Sequence, residues 1–167
     1  GSPMLEKKIR QAINYGFDRE KMMKYLRNNI GQPAFSGFVP WGMPSFNQEA
    51  VKGYTYDPDK ARELLSQAGY PMGKGLPAIT LTTTSDYQDL CEYIQHELSE
   101  IGIILNIEVN TGAAFRDRMA NGKLEFFRGS WIADYPDAEN YLSLFYSRNF
   151  SPSGPNYTHF SDPEYDR

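Results

Sequence analysis

The feature that most constrains this chain is a change of hydrophobic period between residues 78 and 109. Residues 78–84 (AITLTTT) are β-branched and read as a strand. Residues 86–101 then carry Leu90, Ile94, Leu98 and Ile101 on one helical face and stop at Gly102. Residues 103–109 alternate, with Ile103, Leu105, Ile107 and Val109 on one side of a second strand. Strand, helix and strand joined by short links make a βαβ unit, whose strands are parallel and whose crossover is right-handed. The fold class is therefore α/β, with a mainly parallel sheet and flanking helices.

The neighbouring segments extend this pattern. Asp57 is placed as an N-cap with Pro58 at the first helical position, where its missing N–H costs nothing. Ala61, Leu64, Leu65 and Ala68 form the stripe of that helix, Gly69 can turn left-handed at its end, and Pro71 bars continuation. Upstream, Leu5, Ile9, Ile13 and Phe17 have helical spacing, and Asp18 breaks the run and caps a second turn with Met22, Met23 and Leu26. Residues 31–55 contain Pro33, Pro40 and Pro44 with Gly37, Gly42 and Gly53, which forbids a regular element; a loop of this length is functional or interfacial. Downstream, Thr111 caps a short helix to Ala120. Residues 124–132 are predicted as a third strand buried on both faces, because Leu124, Phe126, Phe127, Trp131 and Ile132 are nearly continuous. Residues 137–146 are predicted as a last helix facing inward with Ala138, Tyr141, Leu142 and Phe145.

Bulk properties narrow the function classes. A length of 167 residues supports one domain with a real core, and 40% hydrophobic with 23% charged residues argues against disorder. The net charge of −4 argues against a nucleic-acid binder, which needs a basic surface. An aromatic share of 14% exceeds what a core of this size needs and suits a recognition surface. The single cysteine, Cys91, forbids an internal disulfide, and no apolar run is long enough to span a membrane.

Most candidate chemistry dissolves on inspection. Residues 69–75 (GYPMGKG) brush against a phosphate loop, but the glycine spacing is short and the stretch follows a helix rather than a strand. Cys91, His96 and His159 lack zinc spacing, and Cys91 reads as a core residue. The two Asn-x-Ser/Thr triads at Asn149 and Asn156 carry no weight on their own. One dense acidic group remains: Asp134, Asp137 and Glu139. Asp137 and Glu139 suit the start of a helix, where they complement its dipole. Asp134 stands three residues past Trp131 at a strand end, open to four roles: helix cap, metal ligand, catalytic acid, or hook for a cation.

Four stretches carry a resemblance: IRQAINYGFDREKM (9–22), YDPDKARELLSQAGYPMGKG (56–75), LTTTSDYQDLCEYIQHELSEIGIILNIE (81–108) and RGSWIADYPDAENYLSLFYS (128–147). In series they resemble the periplasmic solute-binding proteins of peptide and nickel ABC transporters, the oligopeptide- and dipeptide-binding family. The resemblance implies a two-lobed α/β protein that closes on its ligand, with residues 5–167 as part of the second, ligand-binding lobe. Residues 1–4 then read as a vector-derived scar, and the missing first lobe belongs to the same chain. Further implied are a non-enzymatic role without cofactor, delivery of peptides to the permease subunits, and a periplasmic or extracytoplasmic location, free or lipid-anchored.

In peptide-binding members the aspartate of the W-x-x-D motif holds the ligand α-amino group, and here that position is Asp134. Arg128 is implied to balance a ligand carboxylate, with Trp131 and Tyr135 as apolar wall. A basic residue common at the end of the preceding helix is replaced by Met119, with Arg118 beside it on another face. The loop at 37–44 (GFVPWGMP) is implied to lie near the lobe interface. Two alternatives stand beside peptides: another ligand of the same family, such as a nickel complex or oligosaccharide, or a hydrolase using Asp134, Asp137 and Glu139.

Overall fold

The computed structural model describes residues 1–167. Its helices are α1 (Lys7–Tyr15), α2 (Arg19–Leu26), α3 (Pro58–Gln67), α4 (Gln88–Ser99), α5 (Gly112–Ala120) and α6 (Glu139–Leu142), and its strands are β1 (Ile79–Thr84) and β2 (Leu105–Asn110). The two strands pair in parallel, from Ile79 opposite Leu105 to Thr84 opposite Asn110, with α4 as the crossover. This is the α/β arrangement of parallel strands and flanking helices that the change of period implies, in a sheet of two strands.

The punctuation acts where the sequence places it. The Asp57 carboxylate accepts from the Lys60 N–H at 2.9 Å at the start of α3, and the Asp57 N–H donates to the Tyr15 carbonyl at 2.9 Å, which ties α3 to the end of α1. Asp18 caps α2 by accepting from the Lys21 N–H at 3.0 Å, and Thr111 Oγ1 caps α5 through the Ala114 N–H at 3.4 Å. No helix or strand occurs between Leu26 and Pro58, as the proline and glycine pattern requires. The turn after α3 packs against the end of α4 at Gly73 and Gly102, both left-handed (φ +74° and +94°), where a Cβ on either would strike the other's backbone.

The main core is a cluster of 13 buried residues, all between Ile9 and Leu105. It joins α1, α3, α4 and the sheet, and Cys91 lies inside it as a small apolar residue. Leu5 departs from the expected apolar face: it belongs to a short 3-10 turn (Pro3–Leu5) and is 79% exposed.

Two expected elements change form. The third strand shrinks to one bridge, Thr82 with Phe127, made by the Thr82 N–H to the Phe126 carbonyl and the Arg128 N–H to the Thr82 carbonyl, each at 3.0 Å. The apolar run at 124–132 serves separate contacts instead of one ladder. Phe126 packs on the main core, Phe127 meets the edge of Phe115, and Ile132 is 87% exposed. The last helix is cut to α6 and a 3-10 turn (Ser143–Phe145), and Leu142 points outward. Ser143 Oγ donates back to the Asn140 carbonyl at 3.3 Å, a bond that competes with regular helix.

Beyond residue 147 the chain is held by polar and aromatic contacts. Asn156 is fully buried: its amide donates to the Tyr146 and Phe160 carbonyls at 3.1 and 2.9 Å, and its Oδ1 accepts from the Phe160 N–H at 3.2 Å. Its side chain is thus spent inside the protein, and the triad it begins is structural. The Phe145 ring meets Phe38 at 4.8 Å and Phe160 at 6.2 Å, edge to face, which clamps the 31–55 loop to this region.

Candidate functional site

The site grows from the carboxyl side of the β1 bridge. After Arg128 bonds to Thr82, the chain leaves the sheet, and no backbone N–H from residue 129 to 136 donates to a backbone carbonyl. Gly129 and Ser130 release it into solvent, and it turns back at Asp137, whose N–H reaches the Tyr135 carbonyl at 2.9 Å. This exposed ribbon displays the W-x-x-D residues.

Asn140 holds the ribbon from behind. It is 6% exposed, and its Oδ1 accepts from the Trp131 indole Nε1–H at 2.7 Å and from the Asp134 N–H at 3.3 Å. One oxygen with two lone pairs so satisfies two donors. The Asp134 carboxylate accepts no hydrogen bond and joins no ion pair, and Asp134 is exposed to solvent.

The remaining acids are committed. Asp137 Oδ1 accepts from the Glu139 N–H at 2.8 Å, and the Glu139 carboxylate accepts from the Tyr135 hydroxyl. That carboxylate raises the Tyr135 phenol above its ordinary pKa, with the Asn140 side chain acting in the opposite direction. The cap role considered for Asp134 does not hold: α6 begins at Glu139, and the acid near its start is Asp137. No three His, Cys, Asp or Glu side chains are grouped to hold a metal ion.

Arg128 sits apart from these bonds. Its guanidinium carbon lies 3.2 Å from the Tyr87 ring centroid, a cation–π contact, and it pairs with no carboxylate. Arg118 turns the other way, to Glu108 Oε1 at 2.5 Å and Asn110 Oδ1 at 2.8 Å, and it holds the Glu108 carboxyl below its ordinary range. The face assigned to Arg118 is therefore occupied by β2, and Met119 stands half-buried beside it.

Of the four expected residues, the structure links Trp131, Asp134 and Tyr135 through Asn140 and its neighbour Glu139, and leaves Arg128 at the strand end. Asn140 and Tyr87 are not among the residues singled out in the sequence. The one signal Asn140 carries is that asparagine disfavours helix there; it lies off the stripe of Ala138, Tyr141, Leu142 and Phe145.

Comparison with known proteins now decides the family. Residues 1–153 match the profile of the bacterial extracellular solute-binding proteins, family 5 middle region. The chain belongs to this family. Among solute-binding relatives it is 30% identical over 172 residues to heme-binding protein A of Haemophilus influenzae, covering 99% of this chain and 30% of that protein. It is 30% identical over 170 residues to the glutathione-binding protein GsiB of Shigella flexneri, covering 98% of this chain and 33% of that protein. In structure it superposes on the periplasmic binding protein DppA from Helicobacter pylori in complex with the peptide STSA, with a TM-score of 0.85 and 29% identity over 99% of this chain and 33% of that one. The chain thus spans about a third of the length of the solute-binding proteins it matches.

Proposed function

We propose that this chain is the ligand-facing part of the second lobe of an extracytoplasmic solute-binding protein that delivers peptides to the permease of an ABC importer. Residues 5–167 supply one wall of a cleft, and the other lobe of the same chain closes over it. The role needs binding and release only, with no catalytic step and no cofactor.

The observation that carries this reading is the free carboxylate of Asp134, held out on a ribbon pinned from behind. An α-ammonium is its natural counter-charge, because a charge-assisted hydrogen bond is roughly twice as strong as a neutral one. In the proposal Trp131 and Tyr135 line the apolar wall beside it, and the unpaired Arg128 guanidinium meets a ligand carboxylate. Two of the relatives support the same chemistry, since STSA and glutathione each combine a free α-amino group with carboxylate, whereas the heme named for a third has carboxylates and no amine. A hydrolase would need two available carboxylates, and Asp137 and Glu139 are already bonded.

The test is calorimetric titration of the complete two-lobed protein with di- to pentapeptides, each free and N-acetylated. Free peptides bind, and acetylation removes most of the affinity. Asp134→Asn lowers affinity for free peptides by about tenfold or more, and leaves thermal stability unchanged because the carboxylate bonds to nothing in the chain. Binding by neither form overturns the peptide assignment, and heme, nickel chelates and oligosaccharides become the next probes.

A further inference from the structure

We propose that Asn140 is a positioning residue that sets where the Asp134 carboxylate stands, and with it the selectivity of the site for a free amino group. The inference rests on the reading of Asp134 as the amine-binding group.

The ribbon has almost no structure of its own. Between Arg128 and Asp137 no backbone N–H reaches a backbone carbonyl, so neither sheet nor helix fixes it. The Asp134 side chain has no bond that would orient it. Its place is therefore inherited from its backbone, and the Asp134 N–H is held by Asn140 Oδ1. The same oxygen holds the Trp131 indole, so one atom fixes the ribbon at two points three residues apart. Asn140 is itself well seated: its N–H donates to the Asp137 carbonyl at 3.2 Å and its side chain is buried. Tyr135 hydroxyl to Glu139 is a further tie, but it lies on the exposed side and orients the phenol rather than Asp134.

The chemistry makes this arrangement matter. A carboxylate-to-ammonium bond works over a narrow range near about 2.8 Å, so a ribbon that wanders by an ångström loses it. Asparagine also disfavours helix, and its buried Oδ1 serves two donors on the ribbon, so packing alone does not explain its presence in α6. An apolar residue of the same shape would fill the space and leave the ribbon untied.

The test uses the full two-lobed protein with Asn140→Leu, which matches the shape without the acceptor, and Asn140→Asp, which keeps acceptor oxygens. Hydrogen exchange of the Asp134 amide, the one backbone N–H of residues 129–136 that has an acceptor, reports the ribbon. Calorimetry with Ser-Thr-Ser-Ala, free and N-acetylated, reports selectivity. The wild type prefers the free peptide by about tenfold or more. Asn140→Leu exchanges faster and keeps a preference of only about twofold, while Asn140→Asp restores slow exchange and the preference. Should Asn140→Leu fail to fold, Asn140→Ser, too short to reach both donors, takes its place. An Asn140→Leu protein that exchanges as slowly as wild type, or that discriminates as wild type does, overturns the positioning role and leaves the Asp134 reading intact. A wild type that does not discriminate overturns both.

Discussion

The guanidinium of Arg128 lies over the ring of Tyr87, its central carbon 3.2 Å from the ring centroid, with no carboxylate in reach of it. An arginine held on an aromatic face keeps its N–H edges available, and the contact is worth about 0.5–1 kcal/mol at an exposed site. We expect Arg128→Gln to weaken binding of peptides with a free carboxyl terminus and to leave carboxamide-capped peptides unchanged. Tyr87→Leu gives a smaller loss with the same pattern, about two- to fivefold. Paired calorimetric titrations with free and amidated peptides check this, and equal losses for both peptide forms would exclude a role in carboxylate binding.

Much of the fold is written in local signals, and the site is only half so. The caps at Asp18, Asp57 and Thr111 and the stops at Gly69 and Gly102 are decided within a few residues, so they can be read directly. The βαβ unit is legible because its periods are clean. Residues 124–132 were not, because continuous apolarity does not say which partner each side chain meets; Phe126, Phe127 and Trp131 serve three separate contacts. Asp134 is marked by its motif, whereas Asn140 owes its importance to two side-chain bonds, nine and six residues back along the chain, that no periodicity encodes.

Acid should dissolve one inter-helix tie. Arg27 grips Asp89 with two bonds, Nη1 to Oδ2 at 2.8 Å and Nη2 to Oδ1 at 3.2 Å, which joins α2 to α4. The bonded Arg27 side chain holds the Asp89 carboxyl below its ordinary value of 3.8. A depressed folded-state pKa stabilises fully above the unfolded value, and the contribution fades as pH falls from about 4 through the folded value. Asp89→Asn therefore lowers stability at neutral pH by about 0.2–1 kcal/mol, the range for half-exposed pairs. Melting curves of both proteins should converge in acid once Asp89 is protonated in the folded state, and added salt should narrow the gap at neutral pH.

The two left-handed glycines near α3 should respond very differently to alanine. At Gly73 a Cβ would sit 1.8 Å from the Gly102 carbonyl oxygen, so the turn and the end of α4 must separate. At Gly69 (φ +91°) nothing lies within 4 Å, and only backbone strain applies. Urea denaturation should show a loss of about 2–4 kcal/mol for Gly73→Ala and about 1 kcal/mol for Gly69→Ala. Equal losses would mean that the turn does not dock as described.

Cys91 should be silent toward thiol reagents in the native protein. It is fully buried in the main core, and burial pushes its thiol above its ordinary pKa. Labelling with a chromogenic disulfide should follow the unfolding transition in urea, with no native-state phase. Fast labelling without denaturant would show that the core around α4 opens locally.

The 13-residue core ends at Leu105, while the ribbon that carries Asp134 begins after Arg128 and is tied down by the side chains of Asn140 and Glu139. Mutation can therefore explore the ribbon without touching the packing that decides whether the protein folds. Such a separation gives natural selection a tolerant chassis and a cheaply edited face. It offers a physical reason why one scaffold occurs in proteins named for cargoes as unlike as heme and glutathione.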